Sequence, residues 1–513
     1  MLALRRVRPR LGPGEAVFIA ASGLAMFGLF CLVRTSLIDD SYITLAYAKN
    51  LALHLHWGVV PLEFTNTATS PLNVGVLGAL TAVTRVGGGV HPVLALGAMS
   101  VALAMIMAWG WVRIVRVLRL PLWVAPLGVA AVLFNPILLS SVGLEVLLIP
   151  TLLIVALAMA LEERPVWFGV VAGLMVLCRL DLIVFVLVMA VATPSVRRCW
   201  RRSVVVAVVI AGPWFFFSWV FFGSAVPDTL VIKTAQRQDF GFVDGPAFYF
   251  TRHMNLIAIV FLPALAGLVA LIVWLVARTS VRWEGAQRLP AIGPVAALGA
   301  GGVAYALAFA VLAVPAYHWY YVPPVVSLSM FLVIAASVWL TRAREHASLR
   351  VGAPATVLVI VGLGAVASLA RDLKQGVPWR TPAITTNFAS AAEYARVGIA
   401  LRKRVSNATV QNNGEIGTLA FFCDCDLVEQ FSDRRQVIPL IDDRIHNSGL
   451  LTKLLFKANY VWLDRGQKPL HPKYLLRYAP GPASGPDIWP VTSHSTVFKV
   501  PIPGHVTLSP LPR

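Results

Sequence analysis

The sequence predicts an all-α polytopic membrane bundle followed by an external α/β tail, on three observations. Of 513 residues, 58% are hydrophobic and only 13% charged, with a mean hydropathy of +0.75. A soluble domain is about half apolar and a quarter charged, so this chain needs a bilayer as solvent. Apolar runs at 204–222, 256–276 and 351–369 each suffice to cross roughly 30 Å of hydrocarbon as helix. They lack the period-2 alternation of a transmembrane barrel strand. After residue 369 polar and charged residues become common and no further apolar run of that length appears.

The individual elements follow from the basic clusters. The net charge is +19, which on a soluble protein would point to nucleic acid. Here the arginines stand between apolar runs, as the positive-inside rule requires. They are Arg5, Arg6, Arg8 and Arg10; Arg113, Arg116 and Arg119; Arg197, Arg198, Arg201 and Arg202; Arg278, Arg282 and Arg288; and Arg342, Arg344 and Arg350. No separate face remains for nucleic acid. The basic N-terminus followed by an apolar run at 16–33 has the outline of a signal peptide. No small-residue cleavage site follows it, so it reads as an uncleaved signal-anchor.

Holding every basic cluster on the cytoplasmic side gives about 11 transmembrane helices. They are 16–34, 91–112, 122–139, 145–161, 167–178, 181–195, 204–222, 255–277, 291–313, 322–341 and 351–369. Outer loops fall at 35–90 and 223–254. The expected location is the plasma (inner) membrane, with the N-terminus cytoplasmic and the C-terminal part extracytoplasmic. Two places stay open. Segment 72–83 is either an amphipathic surface helix of about 18 Å or a span. Segment 168–193 is either one tilted helix or a hairpin broken at Arg179-Leu180-Asp181.

The chain thus divides into a membrane module, 1–369, and a soluble domain, 370–513, whose roughly 140 residues suffice for a core of its own. Tyr394, Val397, Gly398 and Leu401 share one helical face there. The short apolar runs 419–422, 460–463 and 497–500 read as strands. Asn407-Ala408-Thr409 is a glycosylation sequon by pattern alone. Cys31, Cys178 and Cys199 sit in or beside apolar runs and read as packing residues. Cys423 and Cys425 are too close for an unstrained bridge and too few for a metal site.

Candidate chemistry begins at Ile38-Asp39-Asp40-Ser41-Tyr42-Ile43. Adjacent carboxylates at a membrane boundary repel, and partial burial raises a carboxyl pKa, which suits a general base. A solvated turn is the alternative, because structural charge networks also gather carboxylates. Tyr42 to Leu51 continues as an amphipathic helix, followed by Gly58, Glu63, Phe64 and Thr65-Asn66-Thr67-Ala68-Thr69-Ser70-Pro71-Leu72. Further on stand Ser140-Ser141-Val142-Gly143-Leu144-Glu145 and Cys178-Arg179-Leu180-Asp181. Then come Phe222-Gly223-Ser224-Ala225-Val226-Pro227-Asp228-Thr229 with Lys233, Tyr321-Val322-Pro323-Pro324, and Asn413-Gly414-Glu415-Ile416-Gly417.

Taken in order, these segments resemble the GT-C glycosyltransferase superfamily. They are most similar to the actinobacterial branch that holds the terminal arabinofuranosyltransferases and polyprenyl-phosphate-sugar-dependent mannosyltransferases. The resemblance covers most of the chain. Leu180 replaces the usual proline of an Arg-Pro-Asp/Glu segment, and the tail motif departs from Asp-x-Gly-x-x-Gly. The resemblance implies transfer of a sugar, arabinofuranose before mannose, from a polyprenyl-phosphate-linked donor to a glycan or glycolipid acceptor. It makes Asp40 the first choice for the base, with Asp39 its neighbour. A single displacement would invert the anomeric centre through an oxocarbenium-like transition state, with cations stabilising the departing phosphate.

Glu145, Arg179 and Asp181 fall at outer helix ends, and ionisable residues inside a membrane span are functional candidates. An internal ion pair fixing the bundle is the other reading; Arg179 is also suited to bidentate phosphate contact. Lys233 and Arg237 are phosphate contacts or a solvated loop face. Tyr317-His318-Trp319-Tyr320-Tyr321 reads as an interfacial aromatic belt or as a sugar-stacking edge with His318 as polar contact. His54-Leu55-His56 lacks a third metal ligand, and Asp442-Asp443 reads as a turn. No protein-bound cofactor is expected; a divalent cation bridging Asp39, Asp40 and the donor phosphate stays open. A transporter or flippase of lipid-linked glycans would also use intramembrane charges, but the internal repeat of many transporters is missing. A non-catalytic envelope-assembly protein is the third class.

Overall fold

The computed structural model describes residues 10–85, 89–235, 241–279, 292–345, 352–406, 408–468, 470–498 and 500–512. In order, the helices of the first part are α1 (Pro13–Val33), α2 (Asp39–His54), α3 (Pro71–Val83), α4 (Pro92–Leu118), α5 (Val124–Leu133), α6 (Pro136–Leu139) and α7 (Leu148–Leu161). They continue as α8 (Pro165–Cys178), α9 (Ile183–Ala192), α10 (Pro194–Arg198), α11 (Trp200–Phe221), α12 (Thr229–Ala235), α13 (Gly245–Thr279), α14 (Ile292–Val311), α15 (Val322–Glu345) and α16 (Gly352–Lys374).

Every apolar run expected to span is helical. Among the described residues, seven helices are long and apolar enough to cross a membrane: α1, α4, α11, α13, α14, α15 and α16. This is a multi-pass membrane protein. The other four runs form short helices: α7, α5 and α9, with 14, 10 and 10 residues, are shorter than expected, and α8 has 14 residues, two more than its expected run. At 1.5 Å per residue they reach about 15–21 Å, short of a full bilayer crossing. Proline opens α4, α6, α8 and α10 at their first turn, where its missing N–H costs nothing. The stretch after α8 breaks at Arg179, whose backbone is extended (φ −159°), before a 3-10 turn over Leu180–Leu182 leads into α9. Segment 72–83 lies within α3, which packs on α2 and α4.

The bundle has an inside and a rim. The apolar window of the span that includes α15 is 78% buried, against 11% for α11. α15 is therefore the central span, and α11 turns most of its surface to the surroundings. Trp111 on α4 and Phe331 on α15 are fully buried.

After α16 the character changes. α17 (Ala391–Val405) opens with a capping box between Ser390 and Glu393. It buries Tyr394, Val397, Gly398 and Leu401, the face expected from spacing. Helices α18 (Gly417–Cys423), α19 (Ile438–Asn447) and α20 (Leu450–Asn459) follow. Strands β1 (Val410–Asn413), β2 (Leu427–Val428), β3 (Tyr474–Pro480), β4 (Ile488–Ser493) and β5 (Ile502–Pro510) form one sheet in the order β2-β1-β3-β5-β4. β1 runs parallel to β2 and β3, so helices make the crossovers. β5 pairs antiparallel with β3 and β4.

Three short strand expectations differ from the structure. Residues 419–422 lie in α18, 460–463 form the turn that leaves α20, and 497–500 carry no strand among the described residues. Runs of four apolar residues do not distinguish a strand from a buried helical turn. Cys423 and Cys425 are disulfide-bonded with their Cα atoms 5.1 Å apart, and Asp424 between them takes a left-handed conformation (φ 53°).

Candidate functional site

Asp39 and Asp40 open α2 directly after an extended Ile38. Carboxylates in a first turn are favoured by the helix dipole. Consecutive helical residues point about 100° apart, so the pair separates. Asp39 is buried and faces the tail. Its two oxygens accept the backbone N–H groups of Gly417 (2.8 Å) and Thr418 (2.7 Å), and its own N–H donates to Asn387 Oδ1 (3.2 Å). A Cβ at position 417 would stand 2.0 Å from the Asp39 carbonyl oxygen, so only glycine permits this approach. Gly143 (φ +108°) likewise lets its loop close on Ser41.

Asp40 turns the other way, into a cleft it shares with Tyr47, Thr67, Thr69, Ser70, Glu145, Arg179, Lys233, Tyr320 and Phe431. Lys233 Nζ lies 3.6 Å from Asp40 Oδ1. The ammonium also lies over the rings of Tyr317 (4.3 Å) and Phe431 (5.1 Å), a cation–π cradle. Burial disfavours the charge of Lys233, but Asp40 together with Tyr317 and Tyr320 outweighs it and holds the ammonium above the usual lysine range.

Arg179 forms the second cationic centre. Its guanidinium donates to Glu145 Oε1 (2.6 Å) and to both Asp181 oxygens, and stacks over Tyr320 (5.3 Å). Tyr305 donates to Asp181 (3.4 Å). The break at 179–181 thus places Arg179 between two carboxylates while its face still lines the cleft. Thr67 is held by Tyr47, whose hydroxyl lies 2.8 Å from Thr67 Oγ1. Asn66 donates to the Ser224 carbonyl and hydroxyl (both 2.9 Å), which ties the loop between α2 and α3 to the loop after α11.

Of the candidates taken from sequence, Asp40, Glu145, Arg179, Lys233 and Tyr320 meet in one cleft. Asp181 joins through Arg179. Asp39 points away into the tail. His318 is fully buried, and neither ring nitrogen has a hydrogen-bond partner; it does not reach the cleft, because its 3-10 turn points it into the bundle. Arg237 lies outside the described residues. His56 spends Nε2 on the Val60 and Glu63 carbonyls (both 3.0 Å). Among the described residues no group of three or more potential metal ligands gathers. The cleft carboxylates each stand beside a cation, Asp40 beside Lys233 and Glu145 beside Arg179.

The tail contributes what sequence reading missed. Phe431 closes one wall and its carbonyl accepts from Thr67 Oγ1 (2.8 Å). Glu429, two residues earlier, accepts the Phe431 N–H (3.0 Å). Glu415 accepts Asn387 Nδ2 (2.7 Å) and the Phe388 N–H. Two further ion pairs join loops and tail: Arg434–Asp228 (2.9 Å) and Arg435–Glu63 (2.7 Å). The Arg434-Arg435 doublet gave no clear signal for these contacts, because Asp424, Asp426, Glu429 and Asp433 stand just before it and Asp433 itself pairs with Arg435 (3.6 Å).

Asp39, Glu429 and Glu415 are among the carboxyls pushed up at this junction. Burial raises Asp39 to about 6, with the Asp40 charge adding and the two N–H groups opposing. Burial raises Glu429 to about 8. Burial, then the Asp39 charge, holds Glu415 well above the usual carboxylate range. A raised folded-state pKa means that the folded protein binds more protons than the unfolded chain. The stability these groups contribute is therefore complete below their ordinary values of 3.8 and 4.5. It falls as pH rises through about 6 and 8. The melting midpoint in detergent is expected to fall across that interval, and Glu429→Gln is expected to flatten the upper part of the fall.

No family model matches the sequence, and no curated protein matches it. The fold has clear counterparts among solved structures. ArnT from Cupriavidus metallidurans bound to undecaprenyl phosphate superposes with a TM-score of 0.55 at 14% identity, over 96% of this chain and 98% of that one. Its apo form gives 0.53 at 15% identity, over 90% and 92%. The oligosaccharyltransferase AglB from Archaeoglobus fulgidus, in complex with an inhibitory peptide and a dolichol-phosphate, gives 0.52 at 12% identity, over 90% and 69%. The chain therefore has the fold of the GT-C membrane glycosyltransferases.

Proposed function

We propose that this protein is a membrane glycosyltransferase. It transfers one sugar from a polyprenyl-phosphate-linked donor to a cell-envelope glycan or glycolipid on the outer face of the plasma membrane. The observation that carries the reading is Asp40, a carboxylate facing an open cleft 3.6 Å from the Lys233 ammonium and opposite the Arg179 guanidinium. The solved counterparts hold undecaprenyl phosphate and dolichol-phosphate, which supports a lipid-phosphate leaving group here.

In the reaction, Asp40 takes the proton of the acceptor hydroxyl as its oxygen bonds to the anomeric carbon. The bond from that carbon to the phosphate oxygen breaks, and its electron pair leaves with the polyprenyl phosphate. Lys233 and Arg179 face the growing phosphate charge, which is where fixed cations lower a barrier. Displacement in one step inverts the anomeric centre. Asp39 acts at a distance, holding α2 to the tail so that Asp40 is aimed. The donor sugar rests on the sequence resemblance alone, with arabinofuranose ahead of mannose.

The test is transfer by purified protein in detergent from synthetic polyprenyl-phospho-arabinofuranose or polyprenyl-phospho-mannose to an oligosaccharide acceptor. Chelation of divalent ions with EDTA is expected to leave that rate unchanged, because Lys233 occupies the place beside Asp40 where a bridging ion would stand. Loss of transfer on chelation, restored by added magnesium or manganese, would contradict this.

A further inference from the structure

α20 carries its apolar residues on the wrong side for a soluble domain. Leu451, Leu454, Leu455 and Ala458 recur at helical spacing and form one stripe. Leu451, Leu454 and Leu455 are 72%, 56% and 63% exposed, and Leu450 beside them 76%. The opposite face packs Phe456 against the tail core. An exposed contiguous apolar patch of this kind marks an interaction surface.

The place of the helix in the fold says what covers it. Its C-terminal end is fastened to the cleft end of α11, the span with the least buried surface. Trp219 on α11 donates from Nε1 to the Ala458 carbonyl (2.8 Å), and the Trp219 and Trp462 rings meet edge to face at 6.3 Å. Just past α11, the Val226 N–H donates to Asn459 Oδ1 (2.8 Å). Val220 and Phe221 at the same end of α11 are 52% and 58% exposed, and Phe221 meets the ring of Phe64 at 5.7 Å. Tryptophan and other aromatic rings collect where a bilayer meets water. The leucine stripe thus continues the bare face of a membrane-crossing helix at the level of its aromatic band. Lys457 on the flank of α20 supplies the positive charge that an anionic headgroup attracts.

We propose that α20 is an interfacial membrane helix: it lies in the cleft-side leaflet, leucines in the acyl boundary, and seats the tail on the bilayer beside the cleft. This stands independently of the transferase reading.

The test uses a nitroxide on Leu454→Cys in the full chain, with Cys31→Ser and Cys199→Ser and with Cys178 left buried. The protein is reconstituted in vesicles of phosphatidylethanolamine and phosphatidylglycerol. A second label at Arg402→Cys, on the exposed face of α17, reports water. Collision with oxygen relative to a water-soluble nickel chelate is expected to be several-fold higher at Leu454→Cys than at Arg402→Cys. Equal ratios at the two positions overturn the proposal. So does low collision with both reagents at Leu454→Cys, with dipolar broadening if a second copy covers the stripe and without it if another part of the chain does. The Leu454 side chain makes no core contact, so the label leaves folding intact, which the melting midpoint checks.

Discussion

Asp40→Asn is expected to lower the rate of sugar transfer by about 10²–10⁴-fold, the usual contribution of a positioned general base. The amide keeps the shape of the side chain but cannot take the acceptor proton. The Asp40 side chain is 27% exposed and has one cationic neighbour at 3.6 Å, so the fold is expected to tolerate the change with little movement of the melting midpoint. Asp39→Asn is the informative comparison. Its amide cannot accept both N–H groups at the head of α18. The expected result is a lower midpoint together with lower activity, the mark of a positioning residue. A lowered midpoint in Asp40→Asn with Asp39→Asn losing activity at an unmoved midpoint would mean that the roles of the two carboxylates are exchanged.

Arg179→Met is expected to destabilise the protein by about 3–5 kcal/mol, the cost of leaving buried charges unpaired. Stability is typically about 5–15 kcal/mol in total, so this is a large fraction. Glu145 and Asp181 both lose their counter-ion, and Glu145 is 5% exposed. Glu145→Gln is milder, because Arg179 keeps Asp181. The double variant Glu145→Gln with Arg179→Met separates the two readings of this network. A purely structural ion pair would give back much of the lost stability and all of the activity. An arginine that also faces the leaving phosphate would leave transfer low after stability returns. Thermal melts and transfer rates on the same four proteins decide between them.

The helical bundle was legible because hydrophobic spans and arginine clusters are local signals. So were Glu145, Arg179 and Lys233, since each follows an apolar run and topology brings those ends to one side. Span lengths were less legible: α5 stops after 10 residues although Phe134 and then Ile137, Leu138 and Leu139 continue the apolar composition beyond it. The division of labour between Asp39 and Asp40 was invisible, because it depends on which face of α2 meets the tail. Glu429 and Phe431 were missed for the same reason. Their partners Thr67, just before α3, and Lys233, in α12, lie far away in sequence, and nothing local marks such a contact. The 419–422 run failed as a strand because Gly417 and Thr418 offer their N–H groups to Asp39 and begin a helix there.

The most direct test of the transferase reading compares wild type and Asp40→Asn, purified in detergent, with a synthetic polyprenyl-phospho-sugar and an oligosaccharide acceptor. The account predicts a product with inverted anomeric configuration from the wild type and its near disappearance in a folded Asp40→Asn variant. Undiminished transfer by Asp40→Asn would contradict the assignment of the base. A wild type that moves lipid-linked glycan across vesicles without transferring sugar would contradict the enzyme itself.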